Sequence, residues 1–319
     1  MNKTAFLFPG QGSQQVGMGL ALLERRPQLV DTYYREADQI LGFPLSTLCW
    51  EGPDEALRDT SVTQPAVFLT SLATLDVLTA HGIEPDVVAG HSLGEYTALV
   101  CAGVLDWRDA LRLVRRRGEL MAAVNEQVPG GMAAVLGLDL AAVEEICAKV
   151  RSELGRVVEV ANDNEPGQVV VSGTTVAVAE VMRESERCGA RKAVSLKVGA
   201  PFHCSLMRGI EEEFATELAD VEFRDPLVPV VSSVTAAPVT TAEEAVAALR
   251  RQLTGRVRWT GTVRRMERAG ADTFVEVGPG RVLGGLCRRI APDSTVYATD
   301  GASRLARTLD HFASTTTAA

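Results

Sequence analysis

The chain has 319 residues, of which 46% are hydrophobic, so it is long enough to bury a large core, and its length suggests about two domains. Its formal net charge of −9, from 32 basic and 41 acidic residues, argues against general nucleic-acid binding. The first residues lack a secretory signal, and no run approaches the roughly 20 apolar residues that span a bilayer, so we expect a cytoplasmic protein without a membrane partner.

Short apolar strands alternate with longer helical patterns in the first part of the chain. The predicted elements are the strand TAFLFPG at 4–10, a helix through 16–27, a helix at 66–82, the strand PDVVAG at 85–90, and helices at 95–104 and 107–124. This alternation predicts an α/β fold with a mainly parallel sheet and helices on both faces. The chemistry of such a sheet is expected at the carboxyl ends of its strands.

The middle of the chain follows a different order. Its predicted elements are a strand at 131–138, a helix at 140–150, strands at 157–162 and 167–173, a helix at 176–189 and a strand at 191–199. This βαββαβ order is typical of the ferredoxin-like arrangement. We therefore predict a ferredoxin-like subdomain at residues 128–198, inserted into a large, hydrolase-like α/β catalytic domain formed by residues 1–127 and 199–319.

The large domain is predicted to resume after the insertion. Its later elements are a helix at 205–221, a strand at 228–234, helices at 242–253 and 260–270, a strand at 273–279 and a helix at 280–290.

The segment GHSLG at 90–94 fits G-x-S-x-G, the sharp strand-to-helix turn that exposes a serine hydroxyl. The apolar strand before it and the amphipathic helix after it favour a nucleophilic Ser92. A serine on that turn also lies at a helix N-terminus, whose free N–H groups can stabilise an oxyanion. The local pattern leaves open a second interpretation, in which Ser92 only caps the helix.

A nucleophilic serine needs a base, and the chain has four histidines. His81 lies in a helix-to-strand connection, and His311 lies near the end of the chain. His91 follows the strand directly, and its side chain is expected to point away from Ser92. His203, in KVGAPFHCSLM, follows a strand and a Gly-Ala-Pro turn, where an α/β sheet places functional loops. By elimination, we predict that His203 is the base.

Seven segments in the same order carry a family resemblance. They are AFLFPGQGSQQVGMG, TQPAVF, GHSLGEYTAL, the arginine in RRRGELM, ANDNEPGQVVVSG, APFHCSLM and VEVGPGRVLGGL. From about residue 4 to residue 290 the chain resembles malonyl-CoA:acyl carrier protein transacylases, whose fold also serves as the acyltransferase of polyketide synthases. Seven co-linear motifs are far more specific than any one of them.

The resemblance implies transfer of a malonyl group from malonyl-CoA to the phosphopantetheine thiol of an acyl carrier protein, for fatty-acid or polyketide synthesis. The mechanism would be ping-pong, through a malonyl-serine. Ser92 would attack the thioester, and His203 would take its proton and later return one to a leaving thiol. The backbone N–H groups of Leu93 and Gln11 would hold the oxyanion.

Five further roles follow from the resemblance. Arg117 would grip the free carboxylate of the malonyl group through two parallel hydrogen bonds. Leu93 and Phe202 would favour an unbranched malonyl group over methylmalonyl or ethylmalonyl. Gln252 would lie near the catalytic histidine, which neutral carbonyl groups would orient, and Asn162 would bind the substrate.

No metal or other cofactor is expected, and the phosphopantetheine arm would be carried by the partner. The six cysteines are scattered without a CxxC pair, so neither a disulfide framework nor a zinc site is suggested. A monomer is the expected state. One departure from the family pattern is Asp163, which stands where an apolar or aromatic residue is usual. We expect Asp163 to face solvent or to pair with an arginine.

A run between Arg250 and Arg289 holds ten arginines against three acidic residues. Such runs are most often solvated helix faces. Because acyl carrier proteins are generally acidic and CoA carries phosphates, the alternative is that part of this run meets the carrier protein.

Three other functions stay open. The enzyme could take a branched extender, methylmalonyl or ethylmalonyl. The enzyme could instead be a serine hydrolase, either an esterase or an acyl hydrolase that edits a polyketide synthase. The editing enzymes share the fold but typically lack the carboxylate-binding arginine, so Arg117 weighs against this function. A non-catalytic module that binds carrier proteins is disfavoured by the intact set of Ser92, His203 and Arg117.

Overall fold

The computed structural model describes residues 3–316 of the chain. Its strands are β1 (Lys3–Phe8), β2 (Val87–Gly90), β3 (Gly130–Leu136), β4 (Val158–Glu165), β5 (Gln168–Thr174), β6 (Lys192–Ser195), β7 (Val230–Val231), β8 (Pro238–Val239), β9 (Ala271–Glu276) and β10 (Thr295–Ala298). Its α-helices are α1 (Leu20–Arg25), α2 (Arg35–Leu41), α3 (Leu45–Glu51), α4 (Thr60–Ala80), α5 (Gly94–Cys101), α6 (Trp107–Gln127), α7 (Leu140–Leu154), α8 (Thr175–Arg187), α9 (Glu211–Ala219), α10 (Ala242–Gln252), α11 (Trp259–Arg268), α12 (Val282–Ile290) and α13 (Gly301–Thr316). Shorter helical turns span Val30–Tyr34, Ala56–Arg58 and Ser205–Ile210.

The large sheet has the strand order β10-β9-β1-β2-β7-β8. Neighbouring strands run parallel from β10 to β7, and the short edge strand β8 is antiparallel. Along β1, Phe6 and Phe8 pack in one hydrophobic cluster, whereas Ala5 and Leu7 pack in another. Because successive side chains of a strand point to opposite faces, both faces of this sheet are covered. The predicted α/β class with a mainly parallel sheet is confirmed.

The small sheet has the order β4-β5-β3-β6, and each of its pairs is antiparallel. Helices α7 and α8 cover one face of it, where Val143 and Val181 pack with Val135 and Val171 of the strands. This order and the βαββαβ sequence are those of a ferredoxin-like unit, as predicted. The division of the chain at residues 128 and 198 stays a prediction.

Helix α4 corrects one expectation from the sequence. It is 21 residues long and apolar enough to cross a membrane by length and composition. However, 78% of its most apolar stretch is buried inside the protein, and it lies against α6 and the core of the large sheet. Such burial on all sides is that of a core helix, which explains why its apolar residues follow no single face.

Several elements differ from their predicted bounds. Helix α1 begins at Leu20 and not at residue 16, since Gly17 and Gly19 have positive φ angles of 89° and 88°. The strand predicted at 228–234 shortens to β7. The sequence patterns do not predict five of these strands and helices, α2, α3, β8, β10 and α13.

The two sheets meet at the end of β4. Val257, just before α11, donates its N–H to the Ala161 carbonyl at 2.8 Å and accepts one from Asp163 at 2.8 Å. Arg289 of α12 pairs with Glu165 at the end of β4. These contacts hold the small sheet against the carboxyl ends of β1, β2 and β9, where the candidate site lies.

Candidate active site

Ser92 lies on a sharp turn between β2 and α5. Its φ is 53°, a left-handed conformation that is rare for serine. The flanking glycines allow this turn because their neighbours are too close for a side chain. A Cβ on Gly94 would lie 2.0 Å from the Phe8 carbonyl oxygen, and one on Gly90 would lie 1.9 Å from the Gly94 carbonyl carbon. The G-x-S-x-G pattern therefore reflects close backbone packing as well as turn geometry.

The structure brings His203 to Ser92 from 111 residues away. Ser92 Oγ lies 2.8 Å from His203 Nε2, the distance of a hydrogen bond. His203 Nδ1 lies 2.9 Å from the Gln252 carbonyl oxygen and 3.2 Å from that of Gly255. Because a carbonyl can only accept, Nδ1 carries the proton and Nε2 is free to take one from the serine. No carboxylate of the described residues contacts the histidine, so the arrangement is a dyad.

The pKa of His203 is strongly shifted. Burial disfavours the imidazolium, and the nearby Arg117 charge adds to the effect, so the pKa falls to about 3. The imidazole is therefore neutral at physiological pH.

Arg117 is 2% exposed, although it follows two arginines of the same helix that lie at the surface. Its Nη1 donates to Gln64 Oε1 at 2.7 Å, and its Nη2 donates to Gln252 Oε1 and Ser92 Oγ, both at 3.0 Å. Burial lowers its pKa. Gly118 lets α6 approach α4, since a Cβ there would lie 2.7 Å from the Thr60 carbonyl oxygen. The arginine thus reaches the serine with two neutral amides as its neighbours.

A buried acid, Glu95, is linked to this arginine through the Gln252 side chain. Gln252 Nε2 donates to Glu95 Oε2 at 2.6 Å and to the Ser92 carbonyl at 3.0 Å. Glu95 Oε2 also accepts from Ser233 Oγ at 2.6 Å and from the Ser233 N–H at 3.3 Å. Burial raises the pKa of Glu95, and these donors oppose the rise. With Nε2 facing two acceptors, Gln252 can only turn Oε1 toward Arg117.

The sequence did not identify Glu95 or Gln64 as members of the site. Both lie inside motifs that carry the family resemblance, GHSLGEYTAL and TQPAVF, yet each stands on a helix whose other residues are mostly apolar. The available signal was an acid or an amide among the apolar residues of a predicted core helix, because such a group needs a hydrogen-bond partner once it is buried.

The loop after β1 lies beside the turn of Ser92. A Cβ on Gly10 would lie 2.4 Å from the His91 carbonyl oxygen, so the glycine permits the close approach. Within residues 3–316, the backbone N–H groups of Gln11 and Leu93 donate to no other protein group. Two free N–H groups on adjacent loops beside a serine hydroxyl can form an oxyanion hole.

A cavity of about 330 Å³ opens above the dyad. It is lined by Ser92 and His203 together with Pro9, Gly10, Gln11, Gly12, Ser13, His91, Met132, Asn162, Asn164, Val170, Leu196, Lys197, Val198, Phe202, Val282, Leu283 and Leu286. Of the predicted substrate-binding residues, Phe202 and Asn162 reach the wall. Arg117 and Gln252 lie behind Ser92. The Leu93 side chain is buried in the hydrophobic core and is not part of the wall.

Asp163 turns away from this cavity. Its carboxylate accepts a hydrogen bond from Thr260 Oγ1 at 2.8 Å, and its backbone joins the bridge to Val257. Asp163 was expected to face solvent or to pair with an arginine; it is half-buried instead, and its partner is a threonine hydroxyl.

The chain contains no metal cluster that the structure can describe: residues 3–316 hold no group of three or more His, Cys, Asp or Glu side chains suited to a metal ion. All six cysteines are free thiols.

Comparison with known proteins gives a consistent result. The family model described as "Acyl transferase domain" matches residues 5–297. The malonyl CoA-acyl carrier protein transacylase of Escherichia coli O157:H7 is 42% identical over 311 residues, which cover 97% of this chain and 100% of that protein. The crystal structure of the malonyl-CoA:acyl carrier protein transacylase from Xanthomonas oryzae is 40% identical, with a TM-score of 0.93 and 98% of each chain covered.

A third similar structure contains a partner. It is a malonyl-transacylase in complex with its type II polyketide synthase acyl carrier protein. That protein is 40% identical to this chain, with a TM-score of 0.92, and the match covers 97% of this chain and 100% of the other.

Proposed function

Since the chain belongs to the acyl transferase domain family, we propose that it transfers a malonyl group from malonyl-CoA to the phosphopantetheine thiol of an acyl carrier protein, for fatty-acid or polyketide synthesis. The observation that carries this proposal is the contact between the Arg117 guanidinium and Ser92 Oγ at 3.0 Å. A buried cation beside a nucleophile suits an acyl group that ends in a carboxylate.

In the first half-reaction, Ser92 Oγ attacks the thioester carbonyl carbon while His203 Nε2 accepts the hydroxyl proton. The C–S bond breaks as the tetrahedral intermediate collapses, and His203 returns the proton to the CoA thiolate. The products are malonyl-Ser92 and CoA. His203 is suited to this role because its Nδ1–H is held by two carbonyl groups and its Nε2 faces the serine.

The oxyanion of each tetrahedral intermediate is held by the N–H groups of Gln11 and Leu93. In comparable sites the loss of one such donor costs about 10²–10³ in rate. In the second half-reaction the carrier's thiol gives its proton to His203 and attacks the ester carbonyl. The C–O bond to Ser92 breaks, and His203 reprotonates the serine.

Arg117 selects the acyl group. Its present hydrogen-bond partners are neutral, so its charge is available to the malonyl carboxylate. An acyl group without a carboxylate would leave the guanidinium buried and without a charged partner, at a cost of roughly several kcal/mol. Phe202 and Asn162, on the cavity wall, contact the bound substrate.

The groups that this reaction needs are side chains and backbone N–H groups of the chain itself, and so we propose that it uses no cofactor. We also propose that the protein works in the cytoplasm as a monomer. Residues 1–127 and 199–319 would form the catalytic domain, and residues 128–198 would supply the facing wall of the cavity.

Intact-protein mass spectrometry tests the proposal. The protein is exposed separately to malonyl-, methylmalonyl-, ethylmalonyl- and acetyl-CoA, and the mass added at Ser92 is measured. We expect a stoichiometric malonyl adduct that disappears on addition of a holo carrier protein. A methylmalonyl or ethylmalonyl adduct formed faster than the malonyl one would assign a branched extender. Rapid multiple-turnover release of malonate without a carrier would instead assign a hydrolase.

A further inference from the structure

The mouth of the cavity carries an unused positive charge. Of the described residues that line the cavity, three are exposed, Gly12, Lys197 and Val282, and they mark its opening to solvent. Apart from the two histidines, Lys197 is the one ionisable side chain in this lining. It forms no ion pair or hydrogen bond with the rest of the described chain.

Two other positive groups near the opening already have partners, whereas the exposed Arg281, next to Val282, is not part of the cavity lining. Helix α12 begins at Val282, and two of its first N–H groups bind a buried acid: Glu276 accepts from Leu283 at 3.0 Å and from Gly284 at 2.7 Å. On the same helix, Arg289 pairs with Glu165. Within the cavity lining, an entering anion therefore meets Lys197 as the available positive charge.

The wall between the mouth and the dyad has an unsatisfied acceptor. Asn162 is 8% exposed and lines the cavity, and its Oδ1 has no hydrogen-bond partner. His91 Nε2 lies 2.9 Å from Asn164 Oδ1, so it carries the proton and cannot also accept from the Asn162 amide, 3.5 Å away. A buried acceptor of this kind fits a ligand with an amide N–H.

The rest of that wall is apolar, formed by Met132, Val170, Leu196, Val198 and Leu286. From dyad to mouth, the cavity thus offers a nucleophile, an amide acceptor among apolar side chains, and a cation. A phosphopantetheine arm presents a thioester, amides on an aliphatic chain, and a phosphate in the same order. On this basis, which rests on the proposed function, we propose that Lys197 forms a subsite for the phosphate at the end of the pantetheine arm.

Kinetics with matched donors test the subsite. The acylation of Ser92 is measured with malonyl-CoA and with malonyl-pantetheine, which lacks the phosphate, for the unmodified protein and for Lys197→Gln. We expect the substitution to raise the KM for malonyl-CoA about tenfold, as for loss of one charge-assisted hydrogen bond. The KM for malonyl-pantetheine and the maximal rate should not change. Lys197→Arg should restore most of the affinity.

Lys192 provides the matched control. It is an exposed lysine of β6 that is not part of the cavity lining, so Lys192→Gln should leave both KM values unchanged. An unchanged KM for malonyl-CoA in Lys197→Gln, or an equal rise for both donors, would show that Lys197 does not bind the phosphate of CoA. The subsite would then depend on the measurement with the carrier protein.

A third measurement distinguishes the two sources of the phosphate. The transfer from preloaded malonyl-Ser92 to a holo carrier protein is followed in the same variants. A higher KM for the carrier in Lys197→Gln assigns the subsite to the carrier-borne arm, a higher KM for malonyl-CoA assigns it to CoA, and a rise in both assigns it to both. No rise in either rejects the subsite. If malonyl-CoA does not acylate the unmodified protein, the proposed function itself fails.

Discussion

Arg117 and Gln64 form a buried pair in which the arginine donates to a neutral amide, with 2.7 Å between Nη1 and Oε1. The amide satisfies one donor without cancelling the positive charge. The nearest acid in this network, Glu95, is separated from Arg117 by the Gln252 side chain. The site therefore keeps a full cation ready for a ligand, which is the electrostatic basis of its expected preference for carboxylates.

A carboxylate in place of the Gln64 amide should occupy the arginine. Gln64→Glu has nearly the same shape but offers an internal ion pair, so we expect the rate of malonyl-Ser92 formation to fall at least about tenfold. The reaction of Ser92 with the neutral reagent phenylmethylsulfonyl fluoride, measured in parallel, should change little. An unchanged malonylation rate would show that the charge of Arg117 is not what binds the substrate.

Removal of the arginine should change specificity. Arg117→Ala loses two charge-assisted hydrogen bonds of about 1.5–3 kcal/mol each, so kcat/KM for malonyl-CoA should fall by about 10² or more. The kcat/KM for acetyl-CoA should fall much less, because an acetyl group has no carboxylate for the arginine to bind. The ratio of the two kcat/KM values is the measurement. Equal losses for both donors would indicate a structural role.

The low pKa of His203 predicts an acid-tolerant acylation step. A base works above its pKa, and with a value of about 3 the imidazole stays neutral as the pH falls. The single-turnover rate of malonyl-Ser92 formation should therefore show no inflection near the ordinary histidine value of about 6.5. A clear inflection there would contradict the shift.

The same pKa has a consequence for stability. The unfolded chain binds a proton at His203 below about pH 6.5, whereas the folded chain does not until about pH 3. The free energy of unfolding should therefore decrease as the pH falls through this window. In His203→Asn, which tolerates the positive φ of 58°, urea titrations should show a weaker decrease.

Gly94 should not accept a side chain. Because a Cβ there would lie 2.0 Å from the Phe8 carbonyl oxygen, Gly94→Ala must displace either β1 or the turn of Ser92. We expect a loss of activity of about 10² or more together with a lower melting temperature. Gly209→Ala is the control, since a Cβ at Gly209 meets nothing within 4 Å. Full activity in Gly94→Ala would disprove the packing argument.

The part of the Arg250–Arg289 run that lies on α11 is a candidate surface for the carrier protein. Arg264 and Arg265 are exposed, and their side chains form no ion pair within residues 3–316. Charge reversal of both should raise the KM for the carrier several-fold and leave acyl-enzyme formation from malonyl-CoA unchanged. Arg35→Glu, on a helix that contributes nothing to the cavity, serves as the control. An unchanged KM for the carrier would place its docking site elsewhere.

The sequence predicted most of the fold because that information is local. Alternating strand and helix patterns indicated the parallel sheet, and the βαββαβ order indicated the ferredoxin-like unit. The differences between prediction and structure arose from tertiary packing. Helix α4 is buried along most of its length and shows no polar face, and β7 ends at Val231, after which the chain turns and Ser233 binds the distant Glu95.

By itself, the sequence determined the turn that carries Ser92 and, through a short list of histidines, the residue that faces this serine. Tertiary structure decided what surrounds them. The tertiary structure determines which of three neighbouring arginines is buried. Arg115 pairs with Glu119 and Arg116 pairs with Glu213 at the surface, whereas Arg117 enters the core. It also joined Gln64, Gln252 and Glu95 into one network from separate segments of the chain. The physical reason is that turn geometry and hydrophobic periodicity depend on residues close in sequence, whereas burial and hydrogen-bond partners arise only when distant segments pack together.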